Sequence, residues 1–578
     1  MKNEQTRALA ESLGCEPLVA AVLANRGYNN PEQARAFLSP QLSSLSDPLL
    51  MRDMDRAVNR LIAAIDQHEL ILLYGDYDVD GTVSIVVLKK TIEILGGHAD
   101  FHIPHRLRDG YGMRSEVVEE AAQRGVRLIV SVDTGIRANE VVRHARELGV
   151  DVIVTDHHLP EAELPPALAV LNPNRPGCPY PDKQLCGAGV AFKLVQALLA
   201  RSSLPSARQE ALLDSFLKPV AIATVADIVP LTGENRVIVR RGLGGLSAVR
   251  NPGLRALLAV AGFTEGECPS AHEVAFRLAP RINAAGRMAT AGDVIELFLT
   301  VDEARAQALA TQLDILNRER QRTEAEIVEA ILARCEEDAL LLHDRAALVF
   351  AGAEWHLGVL GIVASRLVER FSRPVFVLSQ AAQDGHFSGS GRSIPAFHLL
   401  EALESMPELF TKFGGHRQAA GLTLRATDIE AFRERFHTHA AALLTPDDLR
   451  PVYRIDAEAS FAALSERCIA ALQSLGPFGF GNPAPIFYCS GAEVAAPPKA
   501  LKEGKHFNVP LRHNGRLLFA KAWNFEDRTA LLEPGAKLDV LFQVEDDPFA
   551  RKRGYGSWCV TLKDARPAIS DEGRQRTH

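Results

Sequence analysis

Three short acidic motifs each stand where an apolar, strand-like run ends. Asp76-Tyr77-Asp78-Val79-Asp80-Gly81 follows Leu70–Tyr74, Asp133-Thr134-Gly135 follows Leu128–Val132, and Asp156-His157-His158 follows Asp151–Thr155. Between the first two runs, residues 83–95 carry helical periodicity and end at Gly96-Gly97. Strand alternating with helix implies a parallel, doubly wound α/β sheet, and such a sheet gathers its functional groups at the carboxyl ends of its strands. Three separate segments are therefore predicted to deliver carboxylates and imidazoles to one place.

A chain of 578 residues exceeds a single hydrophobic core, so several domains are expected. At 47% hydrophobic and 24% charged it has the composition of a globular protein. No run of about 18 apolar residues is free of charge and the N-terminus lacks an apolar signal core, so a cytoplasmic protein with no membrane partner is expected. The eight cysteines are scattered without paired CxxC spacing, which argues against zinc and disulfide frameworks. A net charge of −8 is blind to local patches. Between Lys499 and Arg528 the balance reverses, with Lys499, Lys502, Lys505, Arg512, Arg516, Lys521 and Arg528 against Glu503, Glu526 and Asp527. Such a stretch suits a phosphate backbone.

Asp76, Asp78 and Asp80 recur at every second position, so in an extended segment leaving a strand their carboxylates share one face. Three like charges that close need a cation. Carboxylate oxygens favour hard divalent ions, and the imidazole of His157 tilts the choice toward Mn²⁺ over Mg²⁺. Two ions about 3.5–4 Å apart hold both the attacking and the leaving oxygen of an in-line displacement. An EF-hand loop begins similarly, but here its downstream Glu is missing. Asp133 is a metal-bridging candidate by position, although Asp-Thr-Gly also serves as a helix N-cap. Asp227, in Ala226-Asp227-Ile228-Val229-Pro230, is an ionisable group in an apolar run, and a helix-end carboxylate bonded to backbone is an equal alternative.

The order DYDVDG, DTG, TDHH and VADIVPL resembles the DHH phosphoesterase superfamily, in particular its single-strand-specific 5′-to-3′ DNA exonuclease branch. The strings at residues 106–112, 185–193 and 281–287 extend the resemblance over nearly the whole chain. It implies two α/β lobes joined by a long helix, plus a β-barrel OB-fold domain. The expected division is 1–48, an N-terminal helical cover; 49–300, the DHH catalytic domain; 301–340, the connecting helix; 341–448, the DHH-associated domain; 449–568, the OB-fold; and 569–578, a disordered polar tail. The resemblance also implies a catalytic set of Asp76, Asp78, Asp80, Asp133, Asp156, His157, His158 and Asp227. In it Asp78, Asp80, Asp133, His157 and Asp227 are metal ligands, His158 contacts the scissile phosphate, and Asp76 and Asp156 orient ligands, with entry of Asp76 into the ligand shell left open.

Gly414-Gly415-His416-Arg417-Gln418-Ala419-Ala420-Gly421 looks like the DHH-associated signature, in which His416 and Arg417 add charged hydrogen bonds to phosphate. Ser388-Gly389-Ser390-Gly391-Arg392-Ser393 is expected to be a second glycine-rich loop. By the resemblance Arg106, Ser390 and Arg392 receive a 5′-terminal phosphate, and Arg281 and Arg287 contact the strand. Trp355-His356-Leu357-Gly358-Val359 is expected to be structural. Phe507, Phe519 and Trp523 fit base stacking on an OB-fold, buried strand aromatics being the commoner outcome. The implied activity is release of 5′-mononucleotides from single-stranded DNA with two Mn²⁺ or Mg²⁺ ions, in repair and recombination, by a monomer partnered with a helicase and single-strand-binding protein. Rival expectations are a DHH phosphodiesterase for short oligonucleotides or cyclic dinucleotides, and a non-catalytic replication scaffold.

Overall fold

The computed structural model describes residues 2–106, 108–337, 342, 345–380, 385–501, 504–547 and 557–568, so the expected disordered tail lies outside the described residues. The catalytic-lobe sheet contains β1 (Leu70–Tyr74), β2 (His98–His102), β3 (Leu128–Val132), β4 (Asp151–Thr155) and β5 (Ala169–Leu171). All pairings are parallel and the order is β2-β1-β3-β4-β5. That order sets the three strands that end in acidic motifs side by side. Their apolar runs are buried on both faces, as parallel strands covered by helices require.

The stretch from Gly187 to Leu299 is helical, and one long helix, Glu303–Glu337, then leaves the lobe. Its 35 residues span about 50 Å. Ala306, Leu309, Ala310 and Leu313 near its start pack into the catalytic core, whereas Ile327, Ile331 and Cys335 pack into the second lobe. The helix is a strut with one end in each core. Between them Arg320, bonded to Asn317 and Glu324, and Arg366, paired with Glu324, satisfy the buried polar turn.

The second sheet, β6 (Leu348–Gly352), β7 (Val375–Gln380), β8 (His386–Arg392), β9 (Phe410–Gly415) and β10 (Ala419–Arg425), runs β6-β7-β8-β10-β9, with only β6 and β7 parallel. The expected glycine-rich loop at 388–393 is instead the interior strand β8. Its glycines answer packing: a Cβ on Gly391 meets the Phe376 ring at 2.5 Å. Alternation along β8 places Ser390 and Arg392 on one face. Trp355 lies against Gly352, and His356 accepts from Gly358 N, which matches the structural expectation for that string.

The third sheet holds β11 (Ala457–Glu458), β12 (Phe487–Val494), β13 (Lys499–Leu501), β14 (His506–His513), β15 (Arg516–Ala522), β16 (Lys537–Asp546) and β17 (Trp558–Pro567). β12, β16, β17, β15 and β14 pair in circuit, and β12 pairs back to β14, closing a five-stranded barrel. The N-terminal helices Lys2–Leu13, Pro17–Asn25 and Pro31–Leu38 are no separate cover. Leu9, Val19, Val22, Leu23 and Phe37 share one core with Phe461, Leu472, Phe487 and Phe542 of the barrel region. Arg26 fixes the joint through Asp456 and Asn482. The two ends of the chain thus fold as one body, because three short helices have no second layer of their own to bury against.

Candidate active site

The first motif does not continue as extended chain. Asp78 is the N-cap of the helix Val79–Ile94, its Oδ1 accepting from Asp80 N at 2.8 Å and Gly81 N at 3.0 Å, so the chain turns helical at once. Asp80 therefore sits in the first helical turn and separates from Asp76 and Asp78. Gly81 is required there, since a Cβ would come within 2.6 Å of the Asp76 backbone. Both oxygens of Asp80 are held by the start of the helix Gly187–Ala200, from Gly187 N at 2.6 Å and Ala188 N at 2.8 Å. An anion at a helix N-terminus is favourable, and this explains the LCGAGVAFK string.

Asp133 has a left-handed backbone, φ 57°, which Asp tolerates better than most residues. Asp227 caps the C-terminus of the helix Ser206–Ala226. The alternative of a carboxylate satisfied by backbone does not hold for its Oδ2. Asp76 Oδ1, Asp133 Oδ1, Asp227 Oδ2 and His157 Nε2 are all buried without a hydrogen-bond partner. His157 Nε2 lies 3.3 Å from Asp133 Oδ1, 3.6 Å from Asp227 Oδ2 and 3.9 Å from Asp80 Oδ2.

Among the described residues three groups of possible ligand atoms, each within 4.8 Å, result: Asp76, Asp78 and Asp133; Asp80, His157 and Asp227; and Asp133, His157 and His158. Burial, reinforced by neighbouring carboxylates, raises Asp76, Asp133 and Asp227 well above the ordinary carboxylate range. Burial also lowers His157, which favours the neutral imidazole, the form that binds metal. Unpaired buried carboxylates are costly unless a cation offsets them. The oxygen-rich donor set with one imidazole fits Mg²⁺ or Mn²⁺, and the overlap of the groups at Asp133 and His157 fits a pair of ions.

Behind this centre Asp156 is fully buried. It accepts from His157 N and His158 N through Oδ1 and from Ile136 N through Oδ2, and its Oδ1 lies 2.7 Å from His158 Nδ1. Burial disfavours charge on His158, yet Asp156, Asp80 and Asp78 together hold its pKa above the ordinary value. A cleft of about 760 Å³ opens beside His158, lined also by Tyr111, Arg137 and, from the second lobe, His416. Burial lowers His416, as do the charges of Arg137 and His158, which places it across from them.

The cations sort into distinct uses. Arg106 lies over the Tyr77 ring at 4.8 Å; Arg287 donates to Gly358 O at 2.9 Å; Arg392 packs onto Gly361. Burial and the charges of Arg106, Arg320 and Arg392 push Arg287 down to about 9, and burial and Arg106 lower Arg392. Guanidiniums from both lobes thus approach closely enough to depress one another's basicity, a concentration of positive charge that suits an anion. Arg417 is exposed at the β9–β10 turn and donates to Pro395 O. Arg281 is used differently from the expectation. Its guanidinium is committed to Asp314 at 2.8–2.9 Å and to Arg277 O, tying its helix to the strut.

On the barrel, Phe519 and Trp523 are exposed, while Phe507 is partly buried against the core. The basic stretch is less free than its composition suggests, since Arg512, Lys521 and Arg528 pair with Glu493, Asp547 and Asp564; Lys502 and Glu503 lie outside the described residues. Sequence reasoning missed Tyr111 and Arg137. Tyr111 OH donates to Asp133 O at 3.2 Å and lies 3.4 Å from His158 Nδ1, and Arg137 holds Leu159 O. Both stood inside or beside motifs already singled out, at RLRDGYG and DTGIR.

Metal-suited groups at the carboxyl ends of a parallel sheet, faced by a second lobe, are the arrangement of a DHH phosphoesterase. Residues 70–224 match the DHH family, N-terminal domain, residues 344–441 the DHHA1 domain, and residues 455–555 the RecJ OB domain. The chain belongs to the RecJ family. It is 38% identical over 557 residues to the single-stranded-DNA-specific exonuclease RecJ of Dickeya dadantii, covering 93% of this chain and 94% of that protein. It is 38% identical over 542 residues to RecJ of Bacillus subtilis, covering 94% of this chain and 67% of that one. The crystal structure of Thermus thermophilus RecJ in complex with Mn²⁺ superposes with a TM-score of 0.82 at 33% identity, over 98% of this chain and 78% of that one.

Proposed function

We propose that the chain is a single-stranded-DNA-specific 5′-to-3′ exonuclease that releases 5′-mononucleotides by hydrolysis with two Mn²⁺ or Mg²⁺ ions. The observation that carries this is the buried, unpartnered set of Asp76, Asp133, Asp227 and His157 beside the guanidiniums of Arg106, Arg287 and Arg392. Asp78 and Asp133, with Asp76, would hold one ion, and Asp80, His157 and Asp227 the other. When bound, the ions supply an activated water and neutralise charge on the scissile phosphate.

The chain's own groups do the rest. Asp156 orients His158 and favours its protonated form, so that its ring N–H donates to a phosphate oxygen. His416, from the second lobe, approaches the same phosphate, with Arg417 at the rim. Arg106, Arg287 and Arg392, with Ser390, bind the terminal 5′-phosphate and so set the length of product that fits between that pocket and the metal centre. Arg281 is left out of the DNA path because Asp314 occupies it. Phe519 and Trp523 offer exposed rings to bases further along the strand.

The family relationship supports action in repair and recombination, with a helicase and single-strand-binding protein supplying and presenting the strand, by a cytoplasmic monomer. No single helix among the described residues is long and apolar enough to cross a membrane. Product analysis tests the proposal: digestion of a long single strand is expected to yield mononucleotides only when Mn²⁺ or Mg²⁺ is present, and to stop on chelation. Cleavage of cyclic dinucleotides or short oligonucleotides alone assigns the chain to a different DHH chemistry, and no hydrolysis with any ion supports the scaffold. Sedimentation at a mass other than 62.9 kDa contradicts the monomer.

A further inference from the structure

Two exposed apolar side chains stand on abutting loops at the edge of the metal centre, and neither is used in the account above. Ile228 directly follows Asp227 and is 67% exposed, with φ 59°. A β-branched residue in the left-handed region is strained. Phe480 is 60% exposed. Its carbonyl accepts from Leu231 N at 2.8 Å, which joins its loop to the loop that carries Asp227.

The junction is hydrogen-bonded and tight. Asn482 donates to Leu475 O and Pro477 O and accepts from Arg26, so the Phe480 loop is braced by the terminal body. A Cβ on Gly479 would come within 2.7 Å of Leu231, and one on Gly481 within 2.7 Å of Pro230. Asn235 holds Pro230 O from the other side. Two exposed apolar groups thus stand on braced backbone, on a seam that runs from a metal-side carboxylate to the root of the barrel. For a protein that handles a nucleic-acid strand, phosphates have cationic partners elsewhere, and what remains to be received at such a seam is the face of an unpaired base.

Resting on the function proposed above, we infer that Ile228 and Phe480 form an apolar step that receives a nucleobase of the single strand close to the scissile phosphate, and so contribute to the preference for unpaired DNA. A base can lie on this step only when its complement is absent. The strained backbone at Ile228 sets Asp227 into the metal centre and in the same turn projects the side chain outward.

A substrate-by-protein cycle tests this. Hydrolysis rates are measured for a strand bearing normal bases and for one with abasic sites at its first four nucleotides, with the unaltered protein, Ile228→Ser and Phe480→Ser. The unaltered protein is expected to favour the base-bearing strand about tenfold, since stacking on a side chain is worth about 1–3 kcal/mol per base. In each variant that ratio should shrink toward one. A purely structural role lowers both rates together and leaves the ratio intact, which overturns the inference, as does equal use of both strands by the unaltered protein. Failure of the unaltered protein to cut the base-bearing strand at all contradicts the exonuclease assignment instead.

Discussion

Asp133 Oδ1 and His157 Nε2 stand 3.3 Å apart, on the ends of neighbouring strands, both buried and neither with a hydrogen-bond partner. A buried imidazole and carboxyl left in that state suit a cation placed beside them. Each belongs to two of the three ligand groups, so they join the halves of the centre.

Replacing Asp133 with Ala removes a ligand of one group that also stands 3.3 Å from His157 of the other. Hydrolysis should fall by a factor of about a thousand or more, because metal-held charge stabilisation is worth several kcal/mol. Single-strand affinity measured in Ca²⁺ should change little, since the arginines and the barrel are untouched. Turnover within tenfold of the unaltered protein contradicts the assignment.

The raised carboxylates set a sign for stability against pH. Folded, metal-free protein keeps protons on Asp76, Asp133 and Asp227 that the unfolded chain releases from about pH 4 upward, so these groups make stability fall as pH rises above that value. Mn²⁺ offsets the exposed charge repulsion. Thermal melting should therefore show a larger rise on adding Mn²⁺ at pH 8 than at pH 5.5, and Asp227→Asn should reduce the difference. A metal shift independent of pH counts against the cluster as the binding site.

Arg392→Ala should weaken use of 5′-phosphorylated ends by about tenfold or more, while 5′-hydroxyl ends are cut at nearly the former rate. Loss of one bidentate, partly desolvated phosphate contact carries that magnitude. Competition between the two strand types in one tube measures it. An unchanged end preference removes Arg392 from the pocket.

Arg236 tests the architecture. It is buried, lies 3.7 Å over the Phe37 ring and donates to Phe37 O and Leu475 O, bridging the catalytic lobe to the terminal body. Arg236→Met removes both hydrogen bonds, and although Leu475 O keeps Asn482 as a donor, the loss at Phe37 O and over the Phe37 ring should cost about 1–3 kcal/mol. Denaturant unfolding measures the loss, and limited proteolysis should then cut first near residues 39–53.

The catalytic lobe was legible because parallel strands write their burial as unbroken apolar runs; β1, β3 and β4 match the expected spans. β2, with exposed His98 and Phe101 at a sheet edge, and the three-residue β5 left too weak a pattern. The spacing of Asp76, Asp78 and Asp80 predicted one face of an extended segment, but the cap made by Asp78 started a helix and sent Asp80 to the other ligand group. The link between the chain's ends, Arg26 to Asp456, spans 430 residues, a distance over which periodicity is silent. The same holds for Arg281, whose partner Asp314 is fixed only by how two helices pack.

The central claim is polarity on an unpaired strand, and end-labelled digestion tests it most directly. With Mn²⁺ present, a label at the 5′ end of a long single strand should appear at once as mononucleotide, while a 3′ label stays on progressively shorter chains and the matching duplex is spared. Early release of the 3′ label, or equal digestion of duplex, contradicts the account.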